Sequence, residues 1–147
     1  MASKKTIKVK LFDKSLPMPE YKTRHAVAYD LYLRKTTEVV PGKVVLAPLN
    51  VAVELPRGHL AILAARSSLF KLGVMAANGI GVIDEDYRGD EDEYMLPLLN
   101  FTKKKVLLKR GERIAQVIVL KYQRVKFRKV EKLANKSRGG FGSTGRK

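Results

Sequence analysis

The sequence predicts an all-β domain, a barrel or a sandwich. Three observations carry that reading. Short runs rich in apolar and β-branched residues recur along the chain, as half-buried strands require. Glycine and proline fall between the runs, at Pro41-Gly42 and Pro56-Arg57-Gly58, where they punctuate turns. Helix signals occur in one place only, with no heptad pattern and no internal repeat.

The first run, 6–12, alternates Ile7, Val9 and Leu11 with lysines, a strand with one wet face. Runs at 26–33, 38–46, 50–55 and 59–65 follow. Residues 67–73 are the helical piece, one or two turns capped by Ser67 or Ser68 and ended by Gly73. Strands are then expected at 79–83, 93–99, 104–108, 113–122 and 124–130. Pro97 inside one of these points to a sheet edge or a bulge. Residues 135–147 are rich in Gly, Ser, Lys and Arg, with Phe141 their one large apolar residue. That composition reads as a mobile tail. The domain therefore runs over 1–134 and the tail over 135–147.

With 147 residues the chain has the length of one domain. Thirty Lys and Arg against fourteen Asp and Glu give a net charge of +16, which attracts polyanions and phosphorylated molecules. There is no cysteine, so disulfides, thiolate metal sites and cysteine nucleophiles are excluded. The N-terminal MASKKTIKVK lacks the apolar stretch of a secretory signal, and no apolar run has the length of a membrane span. A soluble, cytoplasmic protein is expected. The lysine-rich ends also resemble nuclear import signals, so nuclear placement stays open.

Chemistry concentrates in five stretches. Residues 78–93, NGIGVIDEDYRGDEDE, hold seven of the fourteen acids. Gly79 and Gly81 flank Ile80 in a strand-like run that lets a ligand come close. Asn78 both donates and accepts, as a base edge requires. Asp84 stands at the end of an apolar run, where a carboxylate facing a phosphate can deprotonate a water. Tyr87 follows across a tight turn and can wall off a sugar. The plainer alternative is a hairpin with an acidic tip in water. In residues 64–73, Arg66, Ser67 and Ser68 enter the short helix as an anion pocket, or as a solvated arginine and a serine cap. Gln116 interrupts the apolar strand 113–122, and Asp30 interrupts 26–33; each needs a partner if buried. In the tail, Gly142, Ser143 and Thr144 offer N–H groups and hydroxyls to a phosphate. Lys136, Arg138, Arg146 and Lys147 offer charge, and Phe141 offers a face for a base.

In this order, AVAYDLY, ARSSLF, NGIGVIDEDYRGD, GERIAQ and RGGFGSTG, spread over residues 26–145, resemble the five motifs of the trimeric dUTPase (deoxyuridine triphosphate nucleotidohydrolase) family. The resemblance implies a distorted jelly-roll β-barrel, a homotrimer with active sites at subunit interfaces, and conversion of dUTP and water to dUMP and pyrophosphate. It implies Mg²⁺ on the triphosphate, held by phosphates and waters with no direct protein ligand. Such an enzyme limits uracil incorporation into DNA and supplies dUMP for thymidylate synthesis. Asp84 then activates the attacking water, and Tyr87 packs on the deoxyribose. Asn78, Gly79 and Ile80 read uracil, while Arg66, Ser67, Ser68 and Gln116 hold phosphates. Asp30 lies near the metal-bound waters or supports Arg66. Phe141 stacks on uracil as the tail closes, with Gly142, Ser143 and Thr144 on the terminal phosphates.

The chain departs from the family pattern in three places. Lys136 occupies the usual place of the tail arginine, and Arg138 stands two residues nearer Phe141; a point charge and a planar fork are not equivalent. Ala28 and Ala65 stand where glycine and proline are usual. The segment at 90–100 is longer, with its acids at 90–93 expected in solvent or against lysines of a neighbouring chain. Asp86 is expected to fix the turn. Two other readings remain. One is dCTP deaminase, whose catalytic glutamate would fall where Tyr94 stands. The other is a non-enzymatic basic β-domain that binds nucleic acid through 121–138.

Overall fold

The computed structural model describes residues 6–145; Arg146 and Lys147 of the expected tail site lie outside them. Eleven strands and one 3-10 turn are present among the described residues. In chain order the strands are β1 (Lys8–Leu11), β2 (Tyr29–Tyr32), β3 (Thr37–Val39), β4 (Val44–Pro48), β5 (Val51–Glu54) and β6 (His59–Ala65). After the 3-10 turn (Leu69–Leu72) come β7 (Val74–Ala76), β8 (Ile80–Ile83), β9 (Met95–Asn100), β10 (Val106–Leu108) and β11 (Arg113–Lys121). They build a four-stranded sheet β2-β11-β6-β8, a three-stranded sheet β4-β9-β7 and two pairs, β1-β5 and β3-β10. Every strand pair is antiparallel. The sheets enclose one apolar core that includes Leu31, Leu33, Leu49, Leu55, Leu98 and Tyr94. No helix among the described residues is long and apolar enough to cross a membrane.

The expected strands form where alternation supplies one dry face. In β1, Val9 faces Val53 of β5 and Leu11 faces Val51. Four expectations are corrected. The run 38–46 is two strands, because Gly42 turns the chain with φ +67°. A strand at 74–76 escaped notice, being three residues long and hidden behind Gly73. Pro97 is in neither an edge strand nor a bulge: β9 is flanked by β4 and β7. It is tolerated because β7 ends at Ala76, opposite Leu98. Ala77 N–H still donates to Pro97 O at 2.8 Å, and only the reciprocal bond, which proline cannot donate, is missing. Finally, residues 124–130 form no strand. Val125 and Phe127 alternate with cations there, but no strand neighbours them among the described residues, and all residues from 123 to 145 are exposed.

The helical piece is shorter than an α-helix. Ser68 holds its first position without a side-chain bond, so the expected serine cap is absent, while Gly73 ends it with φ +85°. A Cβ on Gly73 would lie 2.4 Å from Thr102 Cγ2, so glycine is required there twice over.

The loop after β1 is tied down by Asp13. Its carboxylate accepts from Ser15 Oγ at 2.6 Å and from Arg110 Nη2 at 2.6 Å. The Ser15 hydroxyl first, then Arg110, hold its pKa at about 2, below the ordinary 3.8. A depressed folded-state value means stabilisation that is complete above 3.8 and is lost as pH falls toward 2. Asp13→Asn is therefore expected to lower the melting temperature at pH 6, with the gap to the unsubstituted protein closing by about pH 2. A gap unchanged across that window would show that this carboxylate is not the titrating group.

Candidate active site

The β6–β8 pair builds one wall of a cleft. Leu63 faces Gly81 and Ala61 faces Ile83 in register. Gly81 keeps the wall thin: a Cβ there would meet Leu63 Cβ at 3.4 Å. After Ile83 the chain turns sharply, with Tyr87 N–H donating to Asp84 O at 3.2 Å. The turn and the wall enclose a cleft of about 290 Å³, lined by residues including Leu63, Gly81, Asp84, Tyr87, Tyr94 and Met95. Asp84 is exposed, so its carboxylate is at the mouth. Tyr87 is held from behind. Its hydroxyl donates to Glu93 O at 3.0 Å, and its ring stacks on Tyr94 with centroids 6.3 Å apart. Partial burial pushes the Tyr87 phenol above its ordinary pKa, so it remains a neutral wall. Asn78, Gly79 and Ile80 are exposed at the start of β8, outside the cleft lining. Gly79 turns the chain there with φ +73°.

A second group assembles where β2, β11 and the end of β6 meet. Asp30, with its side chain 13% exposed, accepts from Arg113 Nη1 at 2.9 Å and lies 3.3 Å from Arg66 Nε. One carboxylate thus holds two guanidinium groups. Arg66 also donates from Nη1 to Arg113 O at 3.3 Å. Gln116 is opposite Asp30 in register and donates from Nε2 to Ala65 O at 3.1 Å, which leaves its amide oxygen unspent. The irregular register between Arg113 and Ala115 re-aims the strand at this point, as bulges do. Ser67 and Ser68 are exposed beside it. Asp30 lies within ion-pair distance of Arg66. Arg113 is not among the sequence-predicted site residues: inside GERIAQ, Gln116 carries the stronger signal, as the polar residue among apolar ones.

The tail residues join neither group. Lys136, Arg138, Phe141, Gly142, Ser143 and Thr144 are all exposed. Two tight turns shape the segment, with Ser143 N–H donating to Gly140 O at 3.0 Å and Gly145 N–H to Gly142 O at 2.9 Å. Phe141 has φ +51° and stacks on no ring of this chain among the described residues.

The acids correct two expectations. Asp86 is exposed and makes no side-chain hydrogen bond or ion pair among the described residues; the turn is fixed by its neighbour Glu85, which accepts from Gly58 N–H at 2.5 Å. Of the acids at 90–93, Asp90 and Glu91 stand in solvent as expected, with side chains 80% and 85% exposed, and the correction falls on Glu93. Asp90 pairs with Lys10 at 2.6 Å, and Asp92 accepts from Gly89 N–H at 2.7 Å. Glu93 is buried, with both oxygens taking Arg34 at 2.7 Å.

An apolar cleft walled by tyrosine with a carboxylate at its mouth, and two arginines held on one acid at the other end of β6, suit a ligand with a flat ring and phosphates, the class of nucleotide-handling β-barrels. Comparison with known proteins makes the class specific. The family model described as dUTPase matches residues 14–145. A deoxyuridine 5'-triphosphate nucleotidohydrolase of Dictyoglomus turgidum is 42% identical over 144 residues, covering 93% of this chain and 96% of that one. Its counterpart from Rickettsia typhi is 41% identical over 133 residues, covering 87% and 88%. Among solved structures, dUTPase from Streptococcus mutans superposes with a TM-score of 0.73 at 30% identity, over 81% of this chain and 98% of that one. Staphylococcus bacteriophage 80alpha dUTPase with dUPNHPP shares the fold, with a TM-score of 0.82 at 24% identity, over 97% of this chain and 99% of that one. The chain belongs to the dUTPase family. The jelly-roll β fold expected from the sequence stands with it, and neither dCTP deaminase nor a non-enzymatic β-domain finds support.

Proposed function

We propose that this protein hydrolyses dUTP to dUMP and pyrophosphate, with Asp84 as the acceptor of the proton from water. The observation that carries the proposal is the exposed Asp84 carboxylate at the mouth of a cleft walled by Tyr87, in a chain of this family. The cleft takes the deoxyuridine, with Tyr87 against the sugar and the thin wall at Gly81 against the base. Asn78, Gly79 and Ile80 contact the edge of uracil from the start of β8. Arg66, Arg113, Ser67, Ser68 and Gln116 bind phosphate oxygens, and Asp30 keeps both arginine forks aimed. Water attacks the α-phosphorus, the new P–O bond forms in line, and the bond to the bridging β-phosphate oxygen breaks. The proton of the water passes to Asp84 and pyrophosphate leaves.

Asp30 is held by two guanidinium groups, so it offers a metal no direct ligand set. No group of three or more His, Cys, Asp or Glu among the described residues is set to hold a metal. Mg²⁺ that keeps its waters and leans on substrate phosphates suits such a site, with Asp30 and Gln116 beyond the waters. Bound so, it supplies neutralisation of the triphosphate charge. The exposed tail supports a site completed by other chains. Phe141 then stacks on the base and Lys136, Arg138, Gly142, Ser143 and Thr144 close over the phosphates. Val125 and Phe127, a strand pattern with no partner among the described residues, support the same homotrimer.

The testing experiment is pyrophosphate release from dUTP with Mg²⁺, against dTTP, dCTP and UTP, beside a chain lacking 135–147. Release from dUTP alone, stopped by chelation and weakened by the truncation, is the expected result. Equal turnover of UTP would remove Tyr87 as the guard against a 2′-hydroxyl.

The cytoplasm is the compartment that fits a nucleotide-pool enzyme. Its basic arm adds a contact with nucleic acid. Lys121, Arg124, Lys126, Arg128, Lys129 and Lys132 take part in no ion pair among the described residues. Binding to generic duplex DNA is expected to fall steeply with salt; a flat response would return these cations to a solvated face.

A further inference from the structure

We infer that Glu85 is a positioning residue: its carboxylate, by holding Gly58 N–H, fixes the turn that carries Asp84 and, through Gly58, ties it to the root of the C-terminal arm at Tyr122. The inference rests on the reading of Asp84 as proton acceptor.

The turn has two sides. Tyr87 lines the cleft already described, and Asp84 lines both that cleft and the depression beyond it. Glu85 lies between them in sequence and points the other way, toward a shallow depression of about 420 Å³ whose lining includes Asp84, Glu85, Tyr122 and Arg124. There Glu85 Oε2 accepts from Gly58 N–H at 2.5 Å. Gly58 has φ +74°, which aims that N–H out of its own turn. Tyr122 N–H donates to Gly58 O at 3.0 Å. The Tyr122 hydroxyl first, and the Gly58 N–H second, hold the Glu85 carboxyl below its ordinary range. Glu85, Gly58 and Tyr122 are thus joined by two hydrogen bonds that, with the paired strands β6, β8 and β11 behind them, close a ring. Tyr122 is the last residue before the fully exposed stretch 123–145, so the ring joins the arm's root to the turn of Asp84.

Tyr87 does not depend on this ring. Its hydroxyl is held by Glu93 O, and the next residue, Arg88, donates to Leu55 O at 3.0 Å. Opening the ring therefore loosens Asp84 and leaves the sugar wall in place. Turnover and substrate affinity should separate.

The test is steady-state pyrophosphate release from dUTP by the full chain and by Glu85→Ala, Glu85→Gln, Tyr122→Phe and Asp84→Asn. In Glu85→Ala, kcat is expected to fall about tenfold with KM within about twofold, since misplacing a reacting group costs rate and not binding. Glu85→Gln should recover most of the loss, because its amide oxygen still accepts from Gly58. Tyr122→Phe, which keeps the backbone N–H bonded to Gly58 O, should leave kcat within about twofold. An unchanged kcat in Glu85→Ala, or kcat and KM worsening together, overturns the inference. Should Glu85→Ala fail to fold, Glu85→Asp, one methylene too short to keep the Gly58 bond, decides by the same split. Retained activity in Asp84→Asn would overturn the underlying reading, and this inference with it.

Discussion

Asp84→Asn is expected to lower kcat for dUTP by roughly 10²–10⁴-fold, the range that a positioned general base supplies. The substitution keeps the shape of the side chain and removes its basicity. Asp84 is exposed and the turn is held by backbone and by Glu85, so folding is untouched. Substrate binding should hold or tighten, because a negative charge leaves the neighbourhood of a triphosphate. Single-turnover pyrophosphate release, together with nucleotide binding, separates the two effects. Turnover within tenfold of the unsubstituted protein would move the proton to another group and leave Asp84 a bystander.

The second large effect is on stability. Glu93 is 6% exposed and binds Arg34 through two parallel bonds of 2.7 Å. It also accepts from Asn50 N–H at 3.0 Å. Arg34→Met leaves a buried carboxylate without its cation, which costs about 3–5 kcal/mol. That is a large share of the roughly 5–15 kcal/mol that holds a domain folded. Denaturant unfolding at fixed protein concentration should show a lower midpoint with an unchanged slope. Neutralising the acid as well, in Arg34→Met with Glu93→Gln, should restore part of the loss, since the amide oxygen still serves Asn50. A single variant as stable as the starting protein would mean that water reaches Glu93. Activity should respond too: Glu93 O holds the Tyr87 hydroxyl, so KM should rise in the single variant.

Legibility in the sequence followed the range of each interaction. Alternation is local, so β1, β5, β6 and β11 were visible from a few residues each. So were the turns at Gly42, Gly58 and Gly73, where one residue type meets one backbone requirement. Asp84 and Tyr87 were visible because they share a short turn. Pairings across the chain were not. Arg34 and Glu93 are 59 residues apart, and nothing near Glu93 distinguishes it from the three solvent-facing acids before it. Asp30 and Arg113 are 83 apart; only the register of β2 against β11 brings them together. Segment 124–130 misled for the opposite reason. Its alternation is that of a strand, but a strand also needs a neighbour, and the neighbour is not written in the segment itself.

Pro97 has a consequence for the start of β8. A residue able to donate at that point would capture Ala77 O and carry the pairing of β7 one step further. The missing hydrogen acts as a stop signal placed on the adjacent strand. It releases the chain at Ala77, so that 77–79 can cross from the three-stranded sheet to the four-stranded one and begin β8. The exposed corner of Asn78, Gly79 and Ile80 is thus shaped by a bond that cannot form.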